Sequence, residues 1–270
     1  MIFYTVTLCL FLSYQKTVLA NNETFNDTLY KSFIKNMVDL ANNQTFNYTL
    51  YKSSMENLDL FEGDIRLDTS FGESRAVVLE QSELWDDGII YYKFSPDIKV
   101  TGILHLLTSF RYIERVTCLR FVYRKTEENY IFIQEGDGCS SHVGKRGGRQ
   151  ILNLGSGCWN FGIILHELGH AIGLYHEHTR PDRDKYIKIL WDNIKKEFKT
   201  EFQVINKYHL RICDKYSYGS IMHYGPKEFA KDGKVSFVPT LPNVTIKEVY
   251  DRLFLSQSDI GCINKLYKCQ

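Results

Sequence analysis

Several things this sequence lacks narrow its reading before any motif is considered. Its 270 residues carry a net charge of only +1, which gives no electrostatic case for nucleic acid or an anionic membrane as a partner. The early apolar run, Ile2 to Leu12, is too short to span a bilayer. No basic residue precedes that run, and the only early lysine is Lys16. The run and the following Val18-Leu19-Ala20 still read as a signal peptide over residues 1–20, with an uncleaved anchor as the alternative. Nor is there a long repeat array. Residues 21–33 and 42–54 are near-duplicates, but two Asn- and Thr-rich copies fall short of the roughly three units a solenoid needs. A glycosylated, loosely structured leader without chemistry of its own is expected there.

What is present suits a secreted globular protein. The chain is 44% hydrophobic and 14% aromatic, enough for one large domain or two small ones. Of seven cysteines Cys9 falls in the signal segment, leaving Cys118, Cys139, Cys158, Cys213, Cys262 and Cys269, an even set that an oxidising route would pair. Five N-x-[ST] sites, beginning at Asn22, Asn26, Asn43, Asn47 and Asn243, agree with that route. Residues 21–75 hold nine acidic and five basic residues, and the chain from Ala76 onward is net positive. An acidic leader before a mildly basic body is what an inhibitory segment looks like.

From Leu84 the pattern becomes that of a folded layer. Ile89 to Phe94 is β-branched and aromatic between Asp86-Asp87-Gly88 and Pro96, and predicts a strand. Ile103, Leu106, Leu107, Phe110, Ile113 and Val116 follow helical spacing, and Leu119–Tyr123 and Tyr130–Ile133 predict further strands. Gln150–Leu154, after two glycine-rich turns, reads either as a sheet edge that an extended peptide could join or as an ordinary core strand. The fold class is therefore α+β. Downstream, Tyr186–Ile194 has some helical spacing, Ser217–Tyr224 reads as a tight turn and Ser256–Tyr267 as a closing helix.

The chemistry concentrates in His166-Glu167-Leu168-Gly169-His170-Ala171-Ile172-Gly173-Leu174-Tyr175-His176. If Gly162 to Ile172 is helical, His166 and His170 project from one face and can share a metal. Glu167 is rotated about 100° away, placed to act on a water rather than as a ligand. Gly173 tolerates the backbone turn that brings His176 back as a third nitrogen. Three neutral imidazoles leave one zinc position open, as catalytic sites do. Chance formation of HExxHxxGxxH in this composition is on the order of a few in 100,000.

His166 to Arg183, HELGHAIGLYHEHTRPDR, resembles the extended zinc signature of the astacin metalloendopeptidases within the metzincin group, with Leu174 where the family usually has Phe. Ser220-Ile221-Met222-His223-Tyr224 is similar to the family's Met-turn, in which Met222 underlies the metal and Tyr224 lies near it. The segments around Cys118, Cys139, Cys158 and Cys269 also look like astacin segments, so the likeness covers about residues 61–270. Phe61-Glu62-Gly63-Asp64 resembles the propeptide motif whose Asp binds zinc in the zymogen.

The resemblance implies a two-subdomain catalytic domain over residues 76–270, divided near 173 and 174, with a mixed twisted sheet and two long helices above an irregular C-terminal part and a cleft between. It implies one Zn2+, bound by His166, His170 and His176, with Glu167 as general base and Tyr224 as oxyanion donor. Residues 21–75 would be a propeptide with Asp64 as its zinc switch, removed at Arg75-Ala76 by a trypsin-like protease. The new N-terminus at Ala76 would then meet Glu177, unless Glu177 merely pairs with a nearby Arg on the surface. Cys118 would pair with Cys269 and Cys139 with Cys158, leaving Cys213 and Cys262 for a third disulfide. The chain ends one residue after Cys269, so no appended modules are expected. The resulting expectation is a secreted, monomeric zinc endopeptidase acting on protein or peptide substrates. Its rivals are a catalytically silent zinc-containing binding protein and a purely disulfide-stapled structural protein.

Overall fold

The computed structural model describes residues 48–67, 84–205 and 213–270. All described residues belong to one compact unit, Gln44–Gln270. The signal segment, the first repeat copy, the Arg75-Ala76 bond and Asn22, Asn26, Asn43 and Asn47 lie outside the described residues. Asn243 is in a left-handed backbone conformation.

A five-stranded mixed sheet in the order β2-β1-β3-β5-β4 supports the N-terminal half. Its strands are β1 Ile89–Phe94, β2 Arg120–Tyr123, β3 Tyr130–Gln134, β4 Cys139–Ser141 and β5 Arg149–Leu154. The first, second, third and fifth run parallel, whereas β4 pairs antiparallel with β5. Parallel neighbours need a crossover, and helix α2, Val100–Val116, supplies it between β1 and β2. Its Leu106, Phe110 and Ile113 are buried, as helical spacing predicts, and Phe110 stacks on Phe121 with ring centres 4.2 Å apart.

The second long helix, α3, spans Phe161–Ile172. Asn160 caps it by accepting from the Gly162 amide at 2.9 Å, and Gly173 ends it with φ +120°. Every residue of α3 is buried, so its two histidines and its glutamate face protein on all sides. Gly162 lets the carbonyls of Val249 and Arg252 approach closer than any Cβ would allow, which clamps the C-terminal half onto this helix.

Beyond Gly173 regular structure thins out. Strands β6 Ile187–Ile189 and β7 Phe237–Pro239 form a small antiparallel pair, and helix α4, Gln257–Leu266, closes the chain with a capping box between Ser256 and Asp259. The α+β architecture with two long helices above an irregular C-terminal half is the one expected. Cys118 is disulfide-bonded to Cys269, Cys139 to Cys158 and Cys213 to Cys262, with Cα separations of 5.4, 5.6 and 4.9 Å. Among the described residues no helix is long and apolar enough to cross a membrane.

The structure departs from the sequence reading in the leader and in part at Tyr186–Ile194. Tyr186–Ile194, where the spacing is partly helical, holds strand β6 followed by a single 3-10 turn, Trp191–Asn193: Ile187 and Ile189 are buried on either side of exposed Lys188, and a period of 2 over three residues is easily taken for part of a helical one. Of the two readings open for Gln150–Leu154 the ordinary core strand holds: β5 lies inside the sheet, whose edges are β2 and β4, and the Cys-Ser-Ser sequence of β4 carries little strand propensity. The leader is not uniformly loose. Tyr48–Met55, the end of the second repeat copy, is helix α1, with Tyr51 and Met55 buried at 0% and 1% exposure. Propensity alone could not predict this, because so short a helix is stabilised by what it packs against.

Candidate active site

Helix α3 presents His166 and His170 side by side, and the turn at Gly173 returns His176 to meet them. The Nε2 of His176 lies 3.1 Å from the Nε2 of both His166 and His170. Asp64 enters from the leader, with Oδ2 3.0 Å from His166 Nε2 and 3.2 Å from His176 Nε2, and Oδ1 3.5 Å from His170 Nε2. All four side chains are fully buried.

Each imidazole is fixed from behind. The Nδ1 atoms of His166 and His170 donate to the carbonyls of Ile221 (2.7 Å) and Leu174 (2.9 Å), and that of His176 donates to the Glu62 carboxylate at 2.5 Å. A carbonyl can only accept, so Nδ1 of His166 and His170 carries the proton and their Nε2 atoms point lone pairs inward, and His176 presents a third when its one proton is on Nδ1, toward Glu62. Three lone pairs and a carboxylate, all within 4.8 Å of one another, repel unless a cation lies among them. Imidazole and carboxylate donors are those zinc takes, in the number it takes. The donor set fits the metal.

Glu167 is fully buried, and neither of its oxygens has a hydrogen-bond partner among the described residues. Burial, and then the charge of Asp64, pushes its pKa well above the ordinary carboxylate range. The Tyr224 ring centre lies 4.2 Å from that of His176, and its hydroxyl donates to the Glu62 carbonyl at 2.5 Å. Met222 is buried with its sulfur against Gly169, where a Cβ would collide. Its carbonyl accepts from the Glu177 amide at 2.9 Å.

Glu177 is 9% exposed. It does pair with an Arg: Oε1 accepts from Arg180 at 3.1 Å and from the Ser217 amide at 2.7 Å. Burial, offset in part by Arg180, raises its pKa to about 7. Glu177 borders a cavity also lined by Arg180, Asp214, Ser220, Met222 and Asp259. Ala76 lies outside the described residues.

Residues that sequence reasoning left without a role complete the site. Asp259, the acidic member of the α4 capping box, accepts from the Ser220 hydroxyl (2.5 Å) and the Ile221 amide (2.9 Å), so α4 carries the turn that orients His166. The S-x-x-D spacing was a visible helix-start signal, but nothing in it points to residue 221. Glu62 lies inside the quoted FEGD motif, yet its bond to His176 spans 114 positions. His178 stacks on Tyr224 at 4.5 Å and backs the ring.

The leader approaches from β4 and from the segment after Tyr224. Ile65 pairs in parallel with Ser141, the Ser141 amide donating to the Asp64 carbonyl at 3.0 Å and the Arg66 amide to the Ser141 carbonyl at 2.8 Å. Glu56 of the leader accepts from the Phe229 amide at 2.8 Å and pairs with Lys195. Tyr51 donates to Glu228 at 2.7 Å.

Comparison with known proteins is consistent with this geometry. Residues 77–268 match the peptidase family described as Astacin. The chain is 41% identical over 216 residues to the astacin-like metalloprotease toxin 1 of Loxosceles intermedia, covering 78% of this chain and 81% of that protein. It is 38% identical over 218 residues to the zinc metalloproteinase nas-13 of Caenorhabditis elegans, covering 79% of this chain but 47% of that one. Against the solved structure of the high choriolytic enzyme 1 of Oryzias latipes, a hatching enzyme zinc-protease, the TM-score is 0.64 at 33% identity, covering 74% of this chain and 99% of that one.

The buried carboxylates beside the leader make a testable electrostatic signature. Burial, reinforced by each other or by neighbouring acids, raises Glu228 to about 8 and Glu248 to about 7, from 4.5. Between about pH 4.5 and 8 the native chain therefore keeps protons that the unfolded chain has lost, and stability falls as pH rises through that window. The melting temperature of the full chain should drop from pH 5 to pH 8, and Glu228→Gln, which cannot ionise, should flatten that drop. Parallel curves for the two proteins would contradict the assignment.

Proposed function

The chain belongs to the astacin family of peptidases, and from that premise we propose that it is made as a secreted zymogen whose mature form hydrolyses peptide bonds of extracellular proteins. The observation that carries the reading is the Asp64 carboxylate lying among the Nε2 atoms of His166, His170 and His176. Those three histidines would hold the zinc, and Asp64 would stand with them where a water is needed in the active form. Zinc, when bound, supplies a Lewis acid that acidifies water and polarises a carbonyl oxygen.

The remaining work falls to the chain's own groups. Glu167, unpartnered and beside the cluster, accepts the proton of the attacking water as its oxygen bonds to the scissile carbonyl carbon. It then delivers that proton to the amine nitrogen as the carbon–nitrogen bond breaks. Tyr224 has its hydroxyl engaged by the Glu62 carbonyl while the leader is docked. Loss of the leader frees it to donate to the developing oxyanion, a contribution of about 2 to 4 kcal/mol by analogy with other oxyanion donors. The docked leader thus withholds the water position and the oxyanion donor together.

Activation follows by cutting at Arg75-Ala76. The new α-amino group at Ala76 is assigned to Glu177, a reading supported by the cavity beside that carboxylate. The signal segment, the three disulfides and the glycosylation motifs support secretion.

Glu167→Ala should keep stoichiometric zinc, because it removes no ligand, and lose about 100-fold or more in turnover on casein; hydrolysis near the wild-type rate would sink the assigned role. Asp64→Ala should make the uncut precursor measurably active, and a mutant precursor as silent as the wild type would leave steric cover as the whole account of latency. N-terminal sequencing of protein from a secreting host should begin at Asn21 before activation and at Ala76 after it. A form trimmed two residues short of Ala76 should melt lower or turn over more slowly than the correctly cut one, and equality in both would remove Glu177 from the mechanism.

A further inference from the structure

Away from the metal cluster, the leader places another side chain in the catalytic body. Tyr51 of α1 is fully buried, its hydroxyl donates to Glu228 Oε1 at 2.7 Å, and its ring meets that of Tyr250 edge-on at 4.9 Å. Both contacts are to residues far along the chain. Glu228 follows Tyr224 by four positions, and Glu248, Tyr250 and Arg252 come from the segment leading into α4. Glu248 is 5% exposed and its Oε2 has no hydrogen-bond partner among the described residues. It packs against Gly225, where a Cβ would collide with the carboxylate. Arg252 directs its two terminal nitrogens, Nη1 and Nη2, to the carbonyls of Ser220, His223 and Lys247 rather than to either acid.

This pocket adjoins the reacting centre. Gly225 is the residue after Tyr224, whose ring touches that of His176. Phe229 lies 5.4 Å from the Tyr224 ring and packs against Gly63, the neighbour of Asp64. The leader therefore fills the metal position with Asp64 and the adjoining pocket with Tyr51. Once the leader leaves, a ring-sized space remains, floored by two buried carboxylates and walled by Tyr250. Such a space wants an occupant that is aromatic and ends in a hydrogen-bond donor. Phenylalanine would fill it and leave the Glu228 carboxylate without a donor, and lysine would supply a donor but not the ring contact.

We propose that the cavity occupied by Tyr51 is a substrate pocket of the mature enzyme that selects a tyrosine side chain at a fixed position near the cleaved bond. The leader blocks it by presenting its own tyrosine. This rests on the peptidase reading above, and a site built to bond a hydroxyl discriminates strongly against the analogue lacking it.

The test uses the full chain after removal of the leader with a trypsin-like protease, in two arms. In the first, a peptide library is digested and the residues flanking each cut are counted. In the second, binding of a synthetic peptide of residues 48–66 is compared with its Tyr51→Phe form by calorimetry. Tyr should be enriched over Phe at one position, and the Phe peptide should bind about 10- to 100-fold more weakly. Glu228→Leu should bring the Tyr-to-Phe ratio to about 1. Glu228→Gln, which keeps an acceptor without charge, should give an intermediate ratio and serves if the leucine variant does not fold. Cleavage with no Tyr enrichment, or with Lys or Arg enriched instead, overturns the pocket and leaves the peptidase standing. Absence of cleavage with a retained Tyr-over-Phe preference in binding overturns the peptidase reading and supports the pocket. Equal binding of the two peptides overturns the pocket in either case.

Discussion

Three imidazole lone pairs held within hydrogen-bonding distance of one another in a water-poor interior is an arrangement that repels itself, and much of this fold exists to enforce it. Burying even one unpaired polar group is costly, so the convergence of His166, His170 and His176 needs both a cation in front and fixed acceptors behind. The acceptors come from widely separated places: Ile221 from the turn under the metal helix, Leu174 from the turn that ends it, and Glu62 from the leader. Glycines permit the close approaches. Gly162 admits the Val249–Arg252 segment, and Gly169 admits Met222. Asp259 then holds the 220–221 peptide, so the C-terminal helix determines how a histidine in the N-terminal half is aimed.

The same constraint explains why the leader's position is consequential. It contributes to the cluster from outside helix α3 and the turn that ends it. Asp64 meets the three ring nitrogens, the Glu62 carboxylate braces His176, and the Glu62 carbonyl takes the Tyr224 hydroxyl. That stretch needs left-handed backbone at two successive residues, Glu62 with φ +52° and Gly63 with φ +88°. The glycine accommodates this without strain and the glutamate does not. The glutamate's two bonds into the site, one from His176 and one from Tyr224, offset that cost. The leader thus makes contacts at the metal cluster, at β4 and at Tyr51, through local backbone geometry and a few buried polar bonds.

The α+β class and the zinc endopeptidase chemistry were legible in the sequence because their constraints are local. A metal helix needs two histidines four apart, a breaker three residues later and a third histidine after that, all within His166–His176. The helix of residues 100–116 and strands β1, β2 and β3 were legible for the same reason, since burial on one face imposes a period that can be counted. What was not legible depends on distant partners. Helix α1 is too short to announce itself and is held by Glu228, Ala230 and Phe229. β4 carries Cys-Ser-Ser and is a strand because β5 and the leader pair with it. Ile187–Ile189 offers three residues of alternation, too few to separate a strand from one turn of helix.

In the proposed latent form residue 64 would hold a bound zinc together with the three histidines while the leader is attached. Replacing Asp64 by Cys puts a scatterer there that X-ray absorption at the zinc edge separates from nitrogen and oxygen. In the uncut Asp64→Cys chain, zinc should show one sulfur at about 2.3 Å beside three nitrogen neighbours, and the sulfur should disappear on cutting at Arg75-Ala76. A spectrum of nitrogen and oxygen alone in the uncut chain, with zinc bound at full stoichiometry, would contradict the account.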